Sequence, residues 1–341
     1  MNGRTDRGTK ESGGTVRLVD RFRGAVWGQL VGDAVCLGSH WIYELEELER
    51  RFQGRVLGFE TPADGHYHAG KRSGELTHYG DGALVMLRSV AENGRFDPRD
   101  FGRRFVELFG SDAYRGYLDH ATRETLDHWR AFTAAHPAEP YGFRDGADDD
   151  QPATATRLVP VVIAHWRDAS LLRVVESATR VCQNNDRAVA YMQCHALILR
   201  ELFGGTDLHE AFHRAATAMA RESGPGTEVA EAIRKACASL TMTVRDATLA
   251  FGQSCPLASS FPAAVHCALR HSVDFAGAAL DTANAGGDSA ARAALIGAWL
   301  GAFHGIAGIP AAWRERLAAR DEIERDVEEL LRRVGAGEPA R

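Results

Sequence analysis

Gly286-Gly287-Asp288-Ser289-Ala290-Ala291-Arg292, followed by the apolar run from Ala293 to Gly305 (AALIGAWLGAFHG), is the stretch whose reading decides the fold. The run carries no alternation of apolar and polar residues and no polar face, which describes a helix buried on all sides. It is too short and too broken by glycine to span a bilayer. The Gly286-Gly287 pair permits positive φ or a close backbone approach in front of this helix. Asp288 therefore arrives at a helix entrance. It can cap the helix, the ordinary role of Asp there, or it can point a carboxylate into a cleft, where it can hold a cation.

Working outward, helical periodicity dominates. Arg21 to Val35 places Phe22, Val26, Leu30 and Ala34 on one face, with Gly24, Gly28 and Gly32 at four-residue spacing. Small residues so spaced let a second helix approach closely. Further helices are expected over 82–93, 98–109, 122–135, 157–166, 170–182, 186–203, 208–221, 227–238, 243–252, 262–271, 274–282, 292–304, 310–319 and 320–334. One weak strand candidate is Gln53 to Phe59. Two long Gly/Pro/His/Asp-rich segments, 60–78 and 137–152, read as loops of the kind that often carry function. The expectation is one all-α domain, an orthogonal helical bundle over residues 17–335, behind a disordered polar tail at 1–16.

The chain has 341 residues, 45% hydrophobic and 25% charged, with a formal net charge of −6. That suits a soluble globular protein and gives no footprint for nucleic acid or a membrane surface. Six cysteines are scattered without a CxxC pair. They read as small buried hydrophobes in a reducing, cytoplasmic setting. Cys255, framed by Gly252 and Pro256, is open to a second reading as a nucleophile with His266 or His271 as base.

Four segments place polar residues at Gly-rich or capped helix ends: Gly32-Asp33 with His40-Trp41-Ile42-Tyr43 after it, Thr77 to Gly82, Gln183 to Asp186, and Gly286 to Asp288. Together they suggest one site at converging helix ends. His66 and His68 lie in the first long loop and read either as solvated or as part of that site. Asp148-Asp149-Asp150 reads as a solvated acidic loop, since its spacing does not match a calcium loop.

The segments GAVWGQLVGDAV (24–35), HYGDGALVMLRSVAENGRFDPRDFGRRF (78–105), LASSFPAAVHCAL (257–269) and AGGDSAARAALIGAWLGAFHGIAGIPAAW (285–313) resemble, in order, the ADP-ribosylglycohydrolase family and its J1-crystallin-like branch. The resemblance implies an all-α fold. In active members it implies a site for two magnesium ions that assists cleavage of an N- or O-glycosidic bond to ADP-ribose. The departures are specific. A Thr-Asp-Asp-Thr run in active members corresponds here to Tyr79-Gly80-Asp81-Gly82. Their Gly-Gly-Asp-x-Asp-Thr corresponds to Gly286-Gly287-Asp288-Ser289-Ala290-Ala291. His40 stands where a Glu is common, and Gln183 where a His is common.

These substitutions leave Asp81 and Asp288 as the expected residual ligands, enough for at most one magnesium ion with several waters. The expected catalytic residues are Asp81, Asp288 and His40. The expected substrate-binding residues are Tyr79, Gly80, Gly286, Gly287, Asp33 and Trp41. Aromatic and imidazole groups (His40, Trp41, Tyr43, His66, His68, His78, Tyr79) replace lost ligands near the cleft and suit a base or sugar face. The functional expectation is a glycohydrolase-like hydrolase acting on an ADP-ribose-type substrate, small or protein-linked. The alternative is a catalytically silent nucleotide-binding or structural, crystallin-like protein on the same fold.

Overall fold

The computed structural model describes residues 16–336, so the expectation for residues 1–16 falls, except for Val16, outside the described residues. Among those residues the secondary structure is helical, with no strand. A lone parallel bridge joins Ala147 and Gln183. The all-α expectation holds. The strand candidate at 53–59 does not: Gln53 and Gly54 both take positive φ (51° and 112°), which breaks an extended run before it can pair.

At the heart lie two helices, Leu18–Cys36 and Ser289–His304, buried along almost their whole lengths. They run antiparallel with backbones in contact. A Cβ on Gly24 would meet the Gly301 carbonyl oxygen at 2.0 Å, one on Gly28 would meet that of Gly297 at 2.0 Å, and one on Gly32 would meet that of Ala293 at 2.2 Å. The glycine spacing in the first helix thus has its counterpart in Gly297 and Gly301 of the second. Backbone contact allows dense packing without any side chain between the helices.

Other helices wrap this pair. Asp186–Phe203, Leu257–Arg270 and Phe275–Asn284 pack against Ser289–His304. Trp299, at 0% exposure, donates its indole N–H to Nδ1 of His195 at 2.9 Å and takes the edges of Phe212 and Phe261. On the other side, His78–Asn93 packs against Arg320–Arg333, with Arg88 paired to Glu322 and, at 3.5 Å, to Asp326.

Three boundaries differ from the sequence reading in ways that matter. The helix expected to open at Gly82 begins at His78, capped by the Thr77 hydroxyl, which accepts from Tyr79 N–H at 3.1 Å. His78, Tyr79, Gly80 and Asp81 therefore occupy a helical first turn, spread about 100° apart in steps. The helix expected to start at Pro262 begins at Leu257 and carries that proline inside. The short Leu45–Arg51 helix has only Leu48 buried, so its apolar pattern was too thin to read.

Candidate functional site

The Cys36 end of the first helix, the Gly286–Asp288 turn and the start of the His78 helix converge. Gly286 and Gly287 take positive φ (72° and 67°). A Cβ on Gly287 would lie 2.2 Å from the Gln253 carbonyl oxygen, so only glycine fits there. Gly287 and the Trp41–Ile42 segment exchange backbone hydrogen bonds: Trp41 N–H to Gly287 O at 2.7 Å and Gly287 N–H to Ile42 O at 2.8 Å. Trp41 itself sits at φ 62°, a conformation that costs a non-glycine residue about 1 kcal/mol or more.

Asp288 stands at the entrance of its helix, but its side chain makes no capping bond there. It is fully buried, and its Oδ1 has no hydrogen-bond partner. His40 Nδ1 lies 3.6 Å from that oxygen, and the Tyr79 hydroxyl lies 3.4 Å from Oδ2. Burial pushes the Asp288 carboxyl above the ordinary carboxylate range, opposed by the Arg292 guanidinium and the Cys255 thiol. Arg292, also buried, is held by the carbonyls of Gln253 and Gly286. His40 Nδ1 accepts from Ala290 N–H at 3.3 Å.

Asp33 is fully buried and receives both donors of Thr77, the N–H at 2.7 Å and the hydroxyl at 2.5 Å. Desolvation raises its pKa to about 6 against the pull of those bonds. Gly80 is glycine for a reason: a Cβ there would lie 2.5 Å from Asp33 Oδ2.

Asp81 goes elsewhere. Tyr79 and Asp81 are two residues apart in one helical turn, so they leave it on nearly opposite sides. Tyr79 turns toward Asp288. Asp81 accepts from Lys71 Nζ at 2.7 Å and from the Tyr114 hydroxyl at 2.8 Å, beside a separate cavity of about 910 Å³. The two aspartates expected to share a magnesium ion have different neighbours: Asp288 faces His40 and Tyr79, and Asp81 faces Lys71 and Tyr114. Asp81 already holds an ammonium, and buried Ala290 and Ala291 contribute no oxygen from their side chains. The residues present do not fit a binuclear magnesium centre.

The fourth segment behaves differently again. Asp186 is exposed and pairs with Arg180 at 2.7 Å. Gln183 is buried. It accepts from Thr154 N–H at 2.8 Å and donates to Asp149 Oδ1 at 2.9 Å. Asp149 is not solvated as its acidic neighbours suggested: it is 5% exposed and bonded to His120 Nδ1 at 2.9 Å. His68 likewise is buried at 1% exposure, and His66 Nε2 lies 2.7 Å from the His40 carbonyl oxygen, so the first long loop is packed into the site.

A cavity of about 250 Å³ is walled by Trp41, Tyr43, Tyr67 and Tyr117, with Asp119, His120, Arg123 and Cys255 also lining it; Cys255 in turn neighbours Asp288. Tyr67, Tyr117, Asp119, His120, Arg123 and Gln151 are the lining residues the sequence reading missed, as it missed Lys71 beside Asp81. Asp119 looks like an ordinary helix cap and is one, accepting from Thr122 N–H at 2.8 Å. Its second oxygen, 3.5 Å from His78 Nε2, is visible only in three dimensions. Cys255 neighbours Asp288 and Tyr43, and burial raises its pKa, so it is a thiol and not the thiolate a nucleophile requires.

An all-α protein with an acidic residue sealed at a glycine-turn helix entrance, near an aromatic cavity, is the class these observations define. The family model for ADP-ribosylglycohydrolase matches residues 14–339, and the chain belongs to that family. It is 27% identical to crystallin J1A of Tripedalia cystophora over 319 residues, covering 91% of this chain and 96% of that protein. It is 26% identical to the ADP-ribosylarginine hydrolase Tri1 of Pseudomonas putida (strain GB-1), covering 93% and 80%. A solved structure described as an ADP-ribosylglycohydrolase-related protein complex superposes with TM-score 0.71 at 23% identity, covering 93% of this chain and 99% of that one, which bears on the fold alone. No described helix is long and apolar enough to cross a membrane.

Proposed function

We propose that this chain is a glycohydrolase-like hydrolase that takes an ADP-ribose-type group into the aromatic cavity and cleaves an N- or O-glycosidic bond with Asp288 as its acid/base group. The observation that carries this reading is Asp288 itself: a buried carboxyl with a raised pKa and an unpartnered oxygen, next to Cys255, which lines the cavity. Burial shifts such a group toward the range in which a carboxyl can exchange a proton with a leaving group. Trp41, Tyr43, Tyr67 and Tyr117 offer ring faces for a base or ribose, and Arg123 offers a cation for a phosphate. His40 and Tyr79 position the carboxyl. Asp33 holds Thr77 and so fixes the first turn that carries Tyr79. Asp81, paired with Lys71, has no step in this scheme.

A second reading, a silent binding or structural protein, is favoured by the 0% exposure of Asp288 and by the likeness to a crystallin. Turnover of ADP-ribosylarginine and of O-linked ADP-ribosyl peptides separates the two. On the hydrolase reading, Asp288→Asn loses on the order of 100-fold or more in kcat, the usual size of an acid/base contribution, while Asp81→Asn stays near wild type. ADP-ribose binding by calorimetry that ignores magnesium, with no turnover of any substrate in that panel, establishes the silent reading instead.

A further inference from the structure

His40, His68 and His78 come from three separate pieces of chain: the turn after the first helix, the packed loop at 60–77, and the first residue of the His78–Asn93 helix. They are 0%, 1% and 3% exposed. One ring nitrogen from each lies within 4.8 Å of the others. Five of their six ring nitrogens, His40 Nε2 and both nitrogens of His68 and His78, have no hydrogen-bond partner. Buried polar atoms are nearly always bonded, and each orphan costs about 1–3 kcal/mol. Several in one place, on three segments with no other reason to meet, require an explanation.

Ring stacking does not supply it. The His40 and His68 rings are tilted by 17°, the His68 and His78 rings by 26°, and Trp41 stacks on His40 at 4.2 Å. Those contacts satisfy ring faces and leave the nitrogens unserved. We propose that His40, His68 and His78 together bind one divalent transition-metal ion of the zinc class. Imidazole is a ligand for zinc, copper, nickel and iron and a poor one for magnesium. Three histidines with one position left open is a recurrent zinc donor set.

The carboxylates behind the rings fit the same assignment. Asp119 lies 3.5 Å from His78 Nε2 and Asp288 lies 3.6 Å from His40 Nδ1. Carboxylates on the far nitrogens of metal-bound histidines orient the rings and raise their basicity. That leaves His78 Nδ1 for the ion; His40 offers Nε2 once its proton sits on Nδ1, which exchanges the 3.3 Å contact from Ala290 N–H for Asp288 Oδ1 at 3.6 Å. Tetrahedral zinc with 2.0–2.1 Å bonds places its nitrogens about 3.4 Å apart, closer than the 4.8 Å within which one nitrogen of each ring lies here, so the side chains rotate inward to take the ion. The ion ties the 60–77 loop to the turn after the first helix and to the start of the His78–Asn93 helix. This proposal does not depend on hydrolase activity.

The test is metal binding by the full chain after chelator treatment, titrated with zinc by calorimetry and with cobalt by visible spectroscopy. One equivalent of zinc, a cobalt spectrum of a low-coordinate nitrogen site and no competition from excess magnesium are expected. His68→Leu and His78→Gln lose saturable binding, while exposed His209→Gln keeps it. Chelated His68→Leu melts no lower than the chelated wild type, because it removes two orphaned nitrogens, so loss of binding is separable from loss of folding. Zinc raises the wild-type melting midpoint and leaves that of His68→Leu unchanged. Wild type that takes up no stoichiometric zinc or cobalt, or binding that survives both histidine variants, overturns the assignment.

Discussion

The Leu18–Cys36 and Ser289–His304 helices meet in their middles and again at the Cys36–Ser289 end, and the two meetings are built from opposite materials. In the middle, Gly24, Gly28, Gly297 and Gly301 bring backbone against backbone, with no side chain of either helix between them. At the end, Asp33, His40, Asp288 and Arg292 are sealed at or below 1% exposure, several with atoms that have no partner. The first contact lowers the free energy of the fold by packing. The second raises it, because each buried charge or orphaned atom has lost water without full compensation. A fold that keeps its densest apolar contact next to its least satisfied polar cluster spends packing stability on a site.

That contrast can be broken at its strong side first. Gly28→Ala brings a Cβ within 2.0 Å of the Gly297 carbonyl oxygen. Alanine in a helix is ordinarily better than glycine by about 1 kcal/mol. Here the helices must separate, and a net loss of about 3 kcal/mol or more is expected in urea unfolding, at the upper end for overpacked cores. A neutral or stabilised Gly28→Ala variant would show that the two backbones are not in contact.

The polar side is tested by pH. Burial raises Asp33 from 3.8 to about 6, so the folded state holds on to its proton more tightly than the unfolded chain does. The contribution of Asp33 is therefore complete below about pH 4 and is lost as pH rises through about 6. Two pKa units correspond to roughly 3 kcal/mol. Asp33→Asn carries no such titration. Its stability relative to wild type should improve between pH 4.5 and pH 7, read from urea midpoints at both values. A constant difference across that window would mean that Asp33 is charged throughout.

The smallest effect is expected just outside the cluster. Lys71 and Asp81 each keep nearly a fifth of their side-chain surface in solvent. Lys71→Met should cost no more than about 1 kcal/mol, as for other solvent-screened pairs. A loss as large as that of Gly28→Ala would place Asp81 with the sealed group and not beside it.

Much of this was legible in residues. The Gly24/Gly28/Gly32 spacing announced a close helix neighbour, and the unpatterned run after Arg292 announced a buried helix; each turned out to be the other's partner. Gly286-Gly287 announced positive φ. What could not be read was direction. Starting the helix at Gly82 and not at His78 left Asp81 in a loop, free to turn toward Asp288. The Thr77 cap winds it into a turn that sends Tyr79 to Asp288 and Asp81 to Lys71. His66 and His68 were ambiguous for the same reason, since a polar loop residue carries no periodic signal to say which way it faces.

Readable from residues alone were the all-α class, two helices without a polar face and a turn before Asp288 open to positive φ; the resemblance to the family added the expectation that a binuclear magnesium site is depleted. Those properties are local or compositional, written in spacing and residue type. Packing in three dimensions sets the different partners of Asp81 and Asp288, the burial of Asp149 and His68, and the meeting of three histidines from distant segments with five of six ring nitrogens unbonded. Which groups share a volume depends on helix phase and loop packing, and these are set by contacts between residues as far apart in sequence as His40 and Asp288.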